Sequence, residues 1–575
     1  MGAFVRPGGW ATTLVAVAAL AWVGAGSGTG PNPARAEVAA EDSAVGNYLA
    51  GRFAHGRYDL SRAADFMGRA LGDDPDNATL VRQTFLLTAA AGRMTEAAEL
   101  AARVLQEDPS DAVANYVLAA EKMRSGAPAE AEARLAEVPR DNLDRFLTPV
   151  LEAWARLGRG DTQAALEALD SIGDTRGFDV LHRLQLGLMN EYAGDLAAAE
   201  QALTGAEESL GRAPFRVTQA LGGFYERQGR LDDAREAYRR YAEDRPQSFV
   251  IQAIIERLGR GEPAKPLVAS PAEGFAETFY HMAGALQRDR ASEMALIYGR
   301  LALHMRQDFP EAQFLIGQIL ETMGRDHEAI ATYESVRAES PFAWLARLRV
   351  ASTYQMLERF DEAESIWRAM AAERPERFDA LVQLGQMFRA NERFADAVTV
   401  YDAAIERVGE FQAGHWSLFY NRGIALERSD RWARAEQDFL KALELEPEEP
   451  YVLNYLGYSW VDRGENLEKG REMLLRAVEL RPRDGYIVDS LGWVYYRLGR
   501  YEDAVGKLER AVELRPQDPV INDHLGDAYW RVGRVREARF QWRRVLSLDP
   551  EPELIAQIED KRRDGLDGAI SKSGD

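Results

Sequence analysis

The chain has 575 residues, 46% of them hydrophobic, and a formal net charge of −22 at pH 7. A nucleic-acid binder needs a basic surface to neutralise phosphates, so this charge argues against nucleic acid. It also opposes binding to an anionic membrane surface. The chain contains no cysteine, which excludes disulfides, thiolate metal sites and cysteine catalysis.

Residues 1–36 have the features of a signal peptide. Arg6 is the one charged residue among the first ten, a largely apolar run covers residues 11–23, and Ala34-Arg35-Ala36 resembles an A-x-A cleavage site. The apolar run is too short to span a bilayer comfortably. We therefore expect export, cleavage after Ala36, and a soluble periplasmic mature chain. An uncleaved N-terminal membrane anchor is the alternative.

A recurring Leu-Gly pair is the strongest signal in the rest of the chain. Each glycine is followed three positions later by an aromatic residue, then by an alanine with a large residue four positions beyond it, and finally by a proline. The spacing from Gly492 to Gly526, and from Pro516 to Pro550, is 34 residues. The same frame continues backward through most of the chain, with small residues at Gly51, Ala119, Ala153, Gly187, Gly222, Gly317, Ala351, Gly385, Gly423 and Gly457.

This pattern resembles the tetratricopeptide repeat, in which each unit is a pair of antiparallel helices, here called A and B. The small residues of helix A and helix B allow the two backbones to approach closely. The resemblance implies an all-α fold, a right-handed superhelix (α-solenoid) of about 13–14 helix-turn-helix repeats. In such repeats helix A lines an inner groove, and the implied function is binding of other proteins.

The repeat pattern is interrupted once. Residues 259–273 are rich in proline and glycine and have little apolar periodicity, which is typical of a linker. The sequence therefore predicts an N-terminal array over 37–258, a C-terminal array with a capping helix over 274–563, and a disordered tail over 564–575. One continuous array with a local interruption is the alternative. The repeat between Phe275 and Pro310 fits the frame least well.

The sequence shows no catalytic constellation. None of its 7 histidines stands in a His-Glu-x-x-His arrangement, and neither a Gly-x-Ser-x-Gly elbow nor a phosphate-binding loop occurs. We therefore predict a protein that is not an enzyme, with no catalytic residue, no metal, no cofactor and no small-molecule substrate.

The inner-groove positions of the last repeats carry many aromatic residues among Asn, Asp and Arg. Tyr, Trp and Arg dominate binding energy at protein interfaces, and Asn and Asp can hydrogen-bond an extended peptide. The alternative is that Trp493 and Trp530 pack between adjacent A helices and expose only an edge. The predicted partner-binding groove consists of Tyr420, Asn421, Asn454, Tyr458, Asp489, Trp493, Tyr496, Arg497, Asp523, Asp527, Trp530 and Arg531.

A narrower resemblance covers roughly the last third of the chain. The runs Asn454-Tyr-Leu-Gly-Tyr-Ser, Asp489-Ser-Leu-Gly-Trp-Val-Tyr-Tyr-Arg-Leu-Gly and His524-Leu-Gly-Asp-Ala-Tyr-Trp resemble the C-terminal repeats of bacterial envelope adaptors. Those adaptors are lipoproteins that bind C-terminal processing proteases in the periplasm and present murein hydrolases to them; this chain lacks their lipobox cysteine. The resemblance implies a non-catalytic adaptor that brings a periplasmic protease and its substrate together. An assembly scaffold for envelope polysaccharide or outer-membrane machinery, and a hydrolase with an acidic groove, are the alternatives.

Overall fold

The computed structural model describes residues 43–173, 178–209, 213–245 and 248–573. Within these ranges the regular structure consists of thirty α-helices and one short 3-10 helix, without a β-strand. The all-α class and the tetratricopeptide-type solenoid are confirmed. The predicted signal peptide, residues 1–36, lies outside the described residues. Of the helices in the described ranges, none is both long and apolar enough to cross a bilayer.

The described residues fall into two compact units, which divide between Ala329 and Ile330. The division lies inside the helix Asp326–Glu334. The helices of the first unit are α1 (Ala44–Gly56), α2 (Leu60–Asp73), α3 (Ala78–Ala90), α4 (Met94–Glu107), α5 (Ala112–Arg124), α6 (Pro128–Ala136), α7 (Asp144–Gly158), α8 (Thr162–Asp170), α9 (Asp179–Ala193), α10 (Leu196–Glu208), α11 (Phe215–Arg227), α12 (Leu231–Asp244), α13 (Phe249–Gly259), α14 (Pro271–Arg288), α15 (Ser292–Met305), α16 (Pro310–Thr322) and α17 (Asp326–Glu334).

The second unit contains the remaining helices, with the 3-10 helix Ala413–His415 directly before the fifth of them. These helices are α18 (Ala343–Met356), α19 (Phe360–Glu373), α20 (Asp379–Ala390), α21 (Phe394–Glu406), α22 (Trp416–Glu427), α23 (Trp432–Leu445), α24 (Pro450–Asp462), α25 (Leu467–Leu480), α26 (Gly485–Arg497), α27 (Tyr501–Leu514), α28 (Pro519–Arg531), α29 (Val535–Val545) and α30 (Pro552–Ser573).

Consecutive helices pack as A–B pairs. The pairs run from α1–α2 to α11–α12 in the first unit and from α18–α19 to α28–α29 in the second. The Leu-Gly signal corresponds to the closest approach inside a pair. A Cβ atom on Gly492 would lie 2.7 Å from Cγ of Leu508, and one on Gly526 would lie 2.5 Å from Nε1 of Trp542. Only glycine fits at such distances, so these two positions set how tightly helix A packs on helix B.

Short turns and side-chain caps delimit the helices. Gly499 and Gly533, in the turns between A and B helices, have φ angles of 73° and 78°, the left-handed conformation that glycine adopts at no steric cost. Asp484 and Asp518 stand at the N-caps of α26 and α28, where their carboxylates accept hydrogen bonds from backbone N–H groups of the first turn. Such caps satisfy donors that a helix leaves unpaired.

The hairpin α14–α15 departs from simple stacking on sequence neighbours. Helix α14 packs against α5 and α7, and α15 packs against α3, α4 and α5, in addition to their mutual contact and their contacts with α16. Helices α3, α5 and α7 are the A helices of the second, third and fourth pairs. Because A helices line the inner side of such an array, the hairpin fills the inner face of the first unit.

The sequence-predicted boundaries are located as follows. The predicted linker 259–273 spans the end of α13, the non-helical residues 260–270 and the start of α14. Its role as the border between two arrays stays a prediction. The predicted tail 564–575 overlaps the end of α30, which continues to Ser573 beyond a non-helical Gly565 with φ 76° and ψ 172°. Residues 574–575 lie outside the described ranges.

Candidate partner-binding site

The inner face of the first unit is closed by large aromatic side chains. Trp154 on α7 is fully buried beneath Gly274 of α14, where a Cβ atom would lie 2.1 Å from Cδ2 of the indole. The indole Nε1 donates a hydrogen bond to Gln185 Oε1 at 2.8 Å. The hairpin backbone therefore rests directly on the A helix of the fourth pair, with glycine at the crossing point.

A second aromatic contact ties the hairpin to α5. The ring of Tyr116 lies 6.4 Å from that of Phe279 on α14 and 6.2 Å from that of Tyr298 on α15. The Tyr116 hydroxyl donates to Asp144 Oδ1 at 2.8 Å. Burial raises the pKa of Tyr116, so the hydroxyl stays protonated as a donor.

A buried ion cluster completes this closure. Arg216 of α11 donates from Nε to Glu277 of α14 at 2.7 Å and from a terminal nitrogen to Glu311 of α16 at 2.5 Å. All three side chains are at least nine-tenths buried. Burial favours the neutral form of Glu277, but the Arg216 charge outweighs it and lowers the pKa of that carboxyl. Charges desolvated in this way hold the hairpin in one position, so the first inner face is occupied by the chain itself.

The second unit presents its A helices in a row. Helix α24 packs against α23, α25 and α26, and α26 packs against α24, α25, α27 and α28, all of them neighbours along the array. The predicted groove residues are distributed over four A helices: Tyr420 and Asn421 on α22, Asn454 and Tyr458 on α24, Asp489, Trp493, Tyr496 and Arg497 on α26, and Asp523, Asp527, Trp530 and Arg531 on α28.

Trp493 is half-buried and lies in a stack of rings. Its indole lies 4.7 Å from the ring of Tyr496, with an interplanar angle of 9°, and 4.1 Å from the imidazole of His524 on α28. Arg531 Nε donates to the Tyr496 hydroxyl at 3.3 Å. The stack bridges α26 and α28 and leaves part of each ring accessible.

An ion pair lies beneath this stack. His524 Nδ1 lies 3.0 Å from both carboxylate oxygens of Asp489. Burial lowers the pKa of His524, but the charges of Asp489, Asp523 and Asp527 outweigh it, so the net shift is upward. Asp489 therefore links the adjacent A helices α26 and α28.

The capping helix covers the far end of the row. Lys561 on α30 donates to both oxygens of Asp523, at 2.7 and 2.8 Å, and to Asp527 Oδ2 at 2.8 Å. Burial and the neighbouring Asp523 raise the pKa of Asp527 to about 6. Trp530 packs against Trp542 with ring centroids 5.5 Å apart. It also packs against the non-helical glycine of α30, where a Cβ atom would lie 2.6 Å from its indole.

At the near end, Tyr420 packs into an aromatic cluster, with its ring 6.0 Å from that of Tyr455 and 6.1 Å from that of Phe439. Burial raises the pKa of Tyr420 to about 12. Asn421 is half-buried, and its amide nitrogen donates to the backbone carbonyl of Ser417 at 2.7 Å. These two residues therefore contribute mainly to packing within and next to α22.

Of the predicted residues between these two ends, we call five the central patch: Asn454, Tyr458, Trp493, Tyr496 and Arg497. Asn454 is 7% exposed, and within the described part of the chain its carbonyl oxygen has no hydrogen-bond partner. Tyr458 and Trp493 are half-buried, as is Tyr496. Arg497 is exposed and pairs with Asp462 at 2.5 Å. The central patch thus combines aromatic surface, one guanidinium and one unsatisfied buried acceptor.

The sequence analysis did not predict two residues that contribute to this face. His524 and Lys561 neutralise the acidic groove positions, but each meets its carboxylate across 34 to 38 residues of chain. The sequence signals for these two residues are a histidine directly before Leu525 and a lysine in the capping helix. The hairpin in the first inner face was also missed, although the poor fit of 275–310 to the repeat frame marked it.

Family models support the repeat assignment along the chain. One described as TPR repeat matches residues 492–533, and others described as tetratricopeptide repeat match 89–147, 192–249, 311–343, 348–410 and 416–449. The chain belongs to the tetratricopeptide repeat family. Proteins of this family are protein–protein interaction scaffolds and are typically non-catalytic. No curated protein matches the sequence.

Similar solved structures are repeat proteins of low sequence identity. The APC/C hetero-tetramer Cut9–Hcn1 matches with TM-score 0.37 and 14% identity over 90% of this chain and 96% of that one. YrrB, a TPR protein with an unusual peptide-binding site, matches with TM-score 0.27 and 18% identity over 34% of this chain and 97% of its own. MamA from Desulfovibrio magneticus RS-1 matches with TM-score 0.26 and 20% identity over 30% and 97%. These likenesses concern the fold alone.

Proposed function

We propose that this chain is a non-catalytic adaptor of the bacterial cell envelope that brings a periplasmic protease and its substrate together. One of the two partners binds the central patch. The observation that carries this proposal is the stack of two half-buried rings, Trp493 and Tyr496, on α26. The exposed Arg497 lies on the same helix, and the half-buried Tyr458 lies on α24. The first inner face is filled by α14–α15, so the central patch is the inner surface we assign to a partner.

The energetics favour an extended peptide as the bound element. The half-buried rings have part of their surface in contact with water. A peptide laid across α24 and α26 removes apolar surface from water, which is favourable by about 25 cal/mol per Å². Tyr458 and Trp493 supply rigid aromatic surface, and Arg497 supplies a charged fork; these are the residue types that dominate interface energies.

The adaptor role rests on the resemblance of the runs at Asn454, Asp489 and His524 to the repeats of protease adaptors. An adaptor of this kind acts through effective concentration. Two partners held on one scaffold meet at roughly millimolar effective concentration without new contacts between them. The proposed partners are a C-terminal processing protease and a murein hydrolase.

A titration tests the adaptor role directly. A C-terminal processing protease and a murein hydrolase from the same bacterium are incubated with increasing amounts of the purified chain, and the cleavage rate is recorded. An adaptor raises the rate and then lowers it at excess, because protease and substrate come to occupy different adaptor molecules. A rate independent of the chain would contradict the adaptor role.

Two variants test the central patch in the same assay. Tyr458→Ala removes half-buried aromatic surface from the central patch, so partner affinity should drop at least about tenfold. Urea unfolding of the variant checks that it remains folded. Arg497→Ala is compared with Arg510→Ala, since each is an exposed arginine paired with one carboxylate, Asp462 or Glu513. Unchanged affinity in Tyr458→Ala and equal effects of the two arginine variants would contradict the assignment of the central patch.

A further inference from the structure

A basic cleft lies at the C-terminal end of the second unit, away from the A-helix row. It has a volume of about 390 Å³ and is lined by Arg539 and Arg543 of α29 and by Glu559, Arg562 and Arg563 of α30. We call these five residues the arginine cleft. The cleft lies on a B helix and the capping helix, so it is separate from the central patch.

Within the described part of the chain, three of the four arginines in this cleft have no carboxylate at ion-pair distance. Arg563 pairs with Asp560 and Asp564. Among the described side chains, no carboxylate oxygen lies within 4.0 Å of the guanidinium nitrogens of Arg539, Arg543 or Arg562. The cleft thus has a local excess of positive charge among the described side chains, in a chain whose net charge is −22.

The arginine directly before α29 is neutralised by carboxylates. Arg534 is held by Glu509 at 2.9 Å and by Glu537 at 3.1 Å. Like charges that share a cleft repel one another, and the repulsion is relieved when an anion enters. Arg543 gains some stabilisation from the C-terminal end of the α29 dipole, and the cleft lining contains one carboxylate, Glu559, against four arginines. The arrangement therefore favours an anionic ligand.

We propose that the arginine cleft binds a phosphate-bearing ligand. A guanidinium presents a planar fork of donors that matches phosphate or carboxylate oxygens. A carboxylate offers two oxygens in one plane to one fork. A terminal phosphate offers three oxygens in different directions and up to two negative charges, so a single group can engage several arginines that approach from α29 and α30.

The phosphate group can come from a soluble ester or from a phospholipid headgroup. Phe540, directly after Arg539 on α29, is 55% exposed and would contact the acyl region beside a bound headgroup. The net charge of the whole chain opposes an anionic membrane, so the lipid source requires the arginine cleft to outweigh that repulsion locally. The shared chemistry is the phosphate, and the experiment separates the two sources.

The test uses the full chain with three probes. Inorganic pyrophosphate is titrated by calorimetry, vesicles of phosphatidylcholine with or without phosphatidylglycerol are tested by flotation, and a hexaglutamate peptide represents carboxylates. Binding of pyrophosphate alone assigns a soluble ester. Binding that requires phosphatidylglycerol assigns a headgroup. Tighter binding of hexaglutamate than of either phosphate probe, or no binding of any probe, overturns the proposal.

A matched pair of double variants locates the site. Arg539→Gln with Arg562→Gln removes two unpaired charges from the arginine cleft, whereas Arg476→Gln with Arg510→Gln removes two charges that already have carboxylate partners. We expect at least about a tenfold loss of phosphate binding in the first pair and little change in the second. Thermal unfolding of both double variants confirms that they remain folded. Equal losses in the two pairs would show that binding follows net charge and would overturn the site.

Discussion

The first and second units build their A-helix faces from the same repeat frame, yet they use one frame position in opposite ways. Trp154 follows Ala153 and Trp493 follows Gly492, so both tryptophans come directly after the small residue of helix A. Trp154 is fully buried under the hairpin α14–α15. Trp493 is half-buried and stacks on Tyr496 and His524. The identity of a residue in the frame therefore does not decide whether it belongs to a core or to a surface.

The two units also neutralise their buried charges differently. In the first, Arg216 pairs with carboxylates of α14 and α16, which lie across the inner face. In the second, Asp489 and Asp523 pair with bases on the next element along the row, His524 and Lys561. Charge pairing across the face closes it, whereas pairing along the row leaves it open between the ends. This difference is the reason for proposing that a partner binds the second unit.

The largest effect should come from Arg216→Ala. The change leaves Glu277 and Glu311 buried without their cation, and removing one partner of a buried ion pair costs about 3–5 kcal/mol. We expect loss of hydrogen-exchange protection in α14 and in the A helices beneath it. Arg239→Ala is the control within the same unit, since Arg239 is an exposed residue paired with Glu236 and Glu243, and its loss should change stability little.

A companion variant distinguishes charge from packing. Replacing all three residues, with Arg216→Met, Glu277→Gln and Glu311→Gln, removes the uncompensated charges while keeping the volume. Replacing a buried ion cluster by apolar residues is often neutral or stabilising, whereas each buried glutamine amide left without a partner carries a cost, so protection in α14 should return in part. If the single and triple variants lose equal protection, the ion cluster does not hold the hairpin in place.

The second prediction compares the two tryptophans directly. Trp154→Ala should cost about 3–5 kcal/mol, the range for truncating a buried aromatic. Trp493→Ala should cost clearly less, because part of its surface is already solvated, but it should weaken partner binding. Hydrogen exchange in α7 and α26, measured on the intact chain, reports the two losses separately. Equal destabilisation would mean that Trp493 is a core residue, as in the alternative interpretation of the sequence.

The sequence was sufficient for the features that depend on local spacing. Gly526, for example, predicts the close approach of Trp542, because the repeat frame places the two residues opposite each other. The hairpin could not be predicted in this way, since Arg216 meets Glu277 across 61 residues and no local pattern encodes that meeting. The groove residues were listed from their frame positions. Which of them are covered by Lys561 and α30 depends on tertiary docking of the capping helix.

The third prediction concerns that docking. Lys561→Ala leaves Asp523 and Asp527 without their cation, but α30 lies at the end of the array and can undock to let water reach both carboxylates. We therefore expect about 1–2 kcal/mol, less than the usual cost of breaking a buried pair, with the loss confined to α30 and α28. Arg563→Ala, on the same helix but exposed, is the control. Protease sensitivity of α30 in the two variants provides the measurement.

The smallest effect should be a pH dependence centred on His524. Its neighbours are Asp489 on α26 and Asp523 and Asp527 on its own helix, and together they raise its pKa in the folded state. The folded state thus holds this proton more tightly than the unfolded state. The resulting stability is fully present below the unfolded pKa of about 6.5 and is lost as the pH rises through the folded pKa.

Urea unfolding of the second unit, followed between about pH 6.5 and 9, measures this effect. The pKa of Asp527 is raised to about 6, and this shift also makes stability fall as the pH rises, but at lower pH. The chosen pH range lies above the titration of Asp527. We expect His524→Gln and Asp489→Asn each to flatten the pH dependence. The double variant should flatten it no further, because the two residues form one pair at 3.0 Å. A parent protein whose stability does not change over this range, or rises with pH, would show that the Asp489–His524 pair does not join α26 to α28.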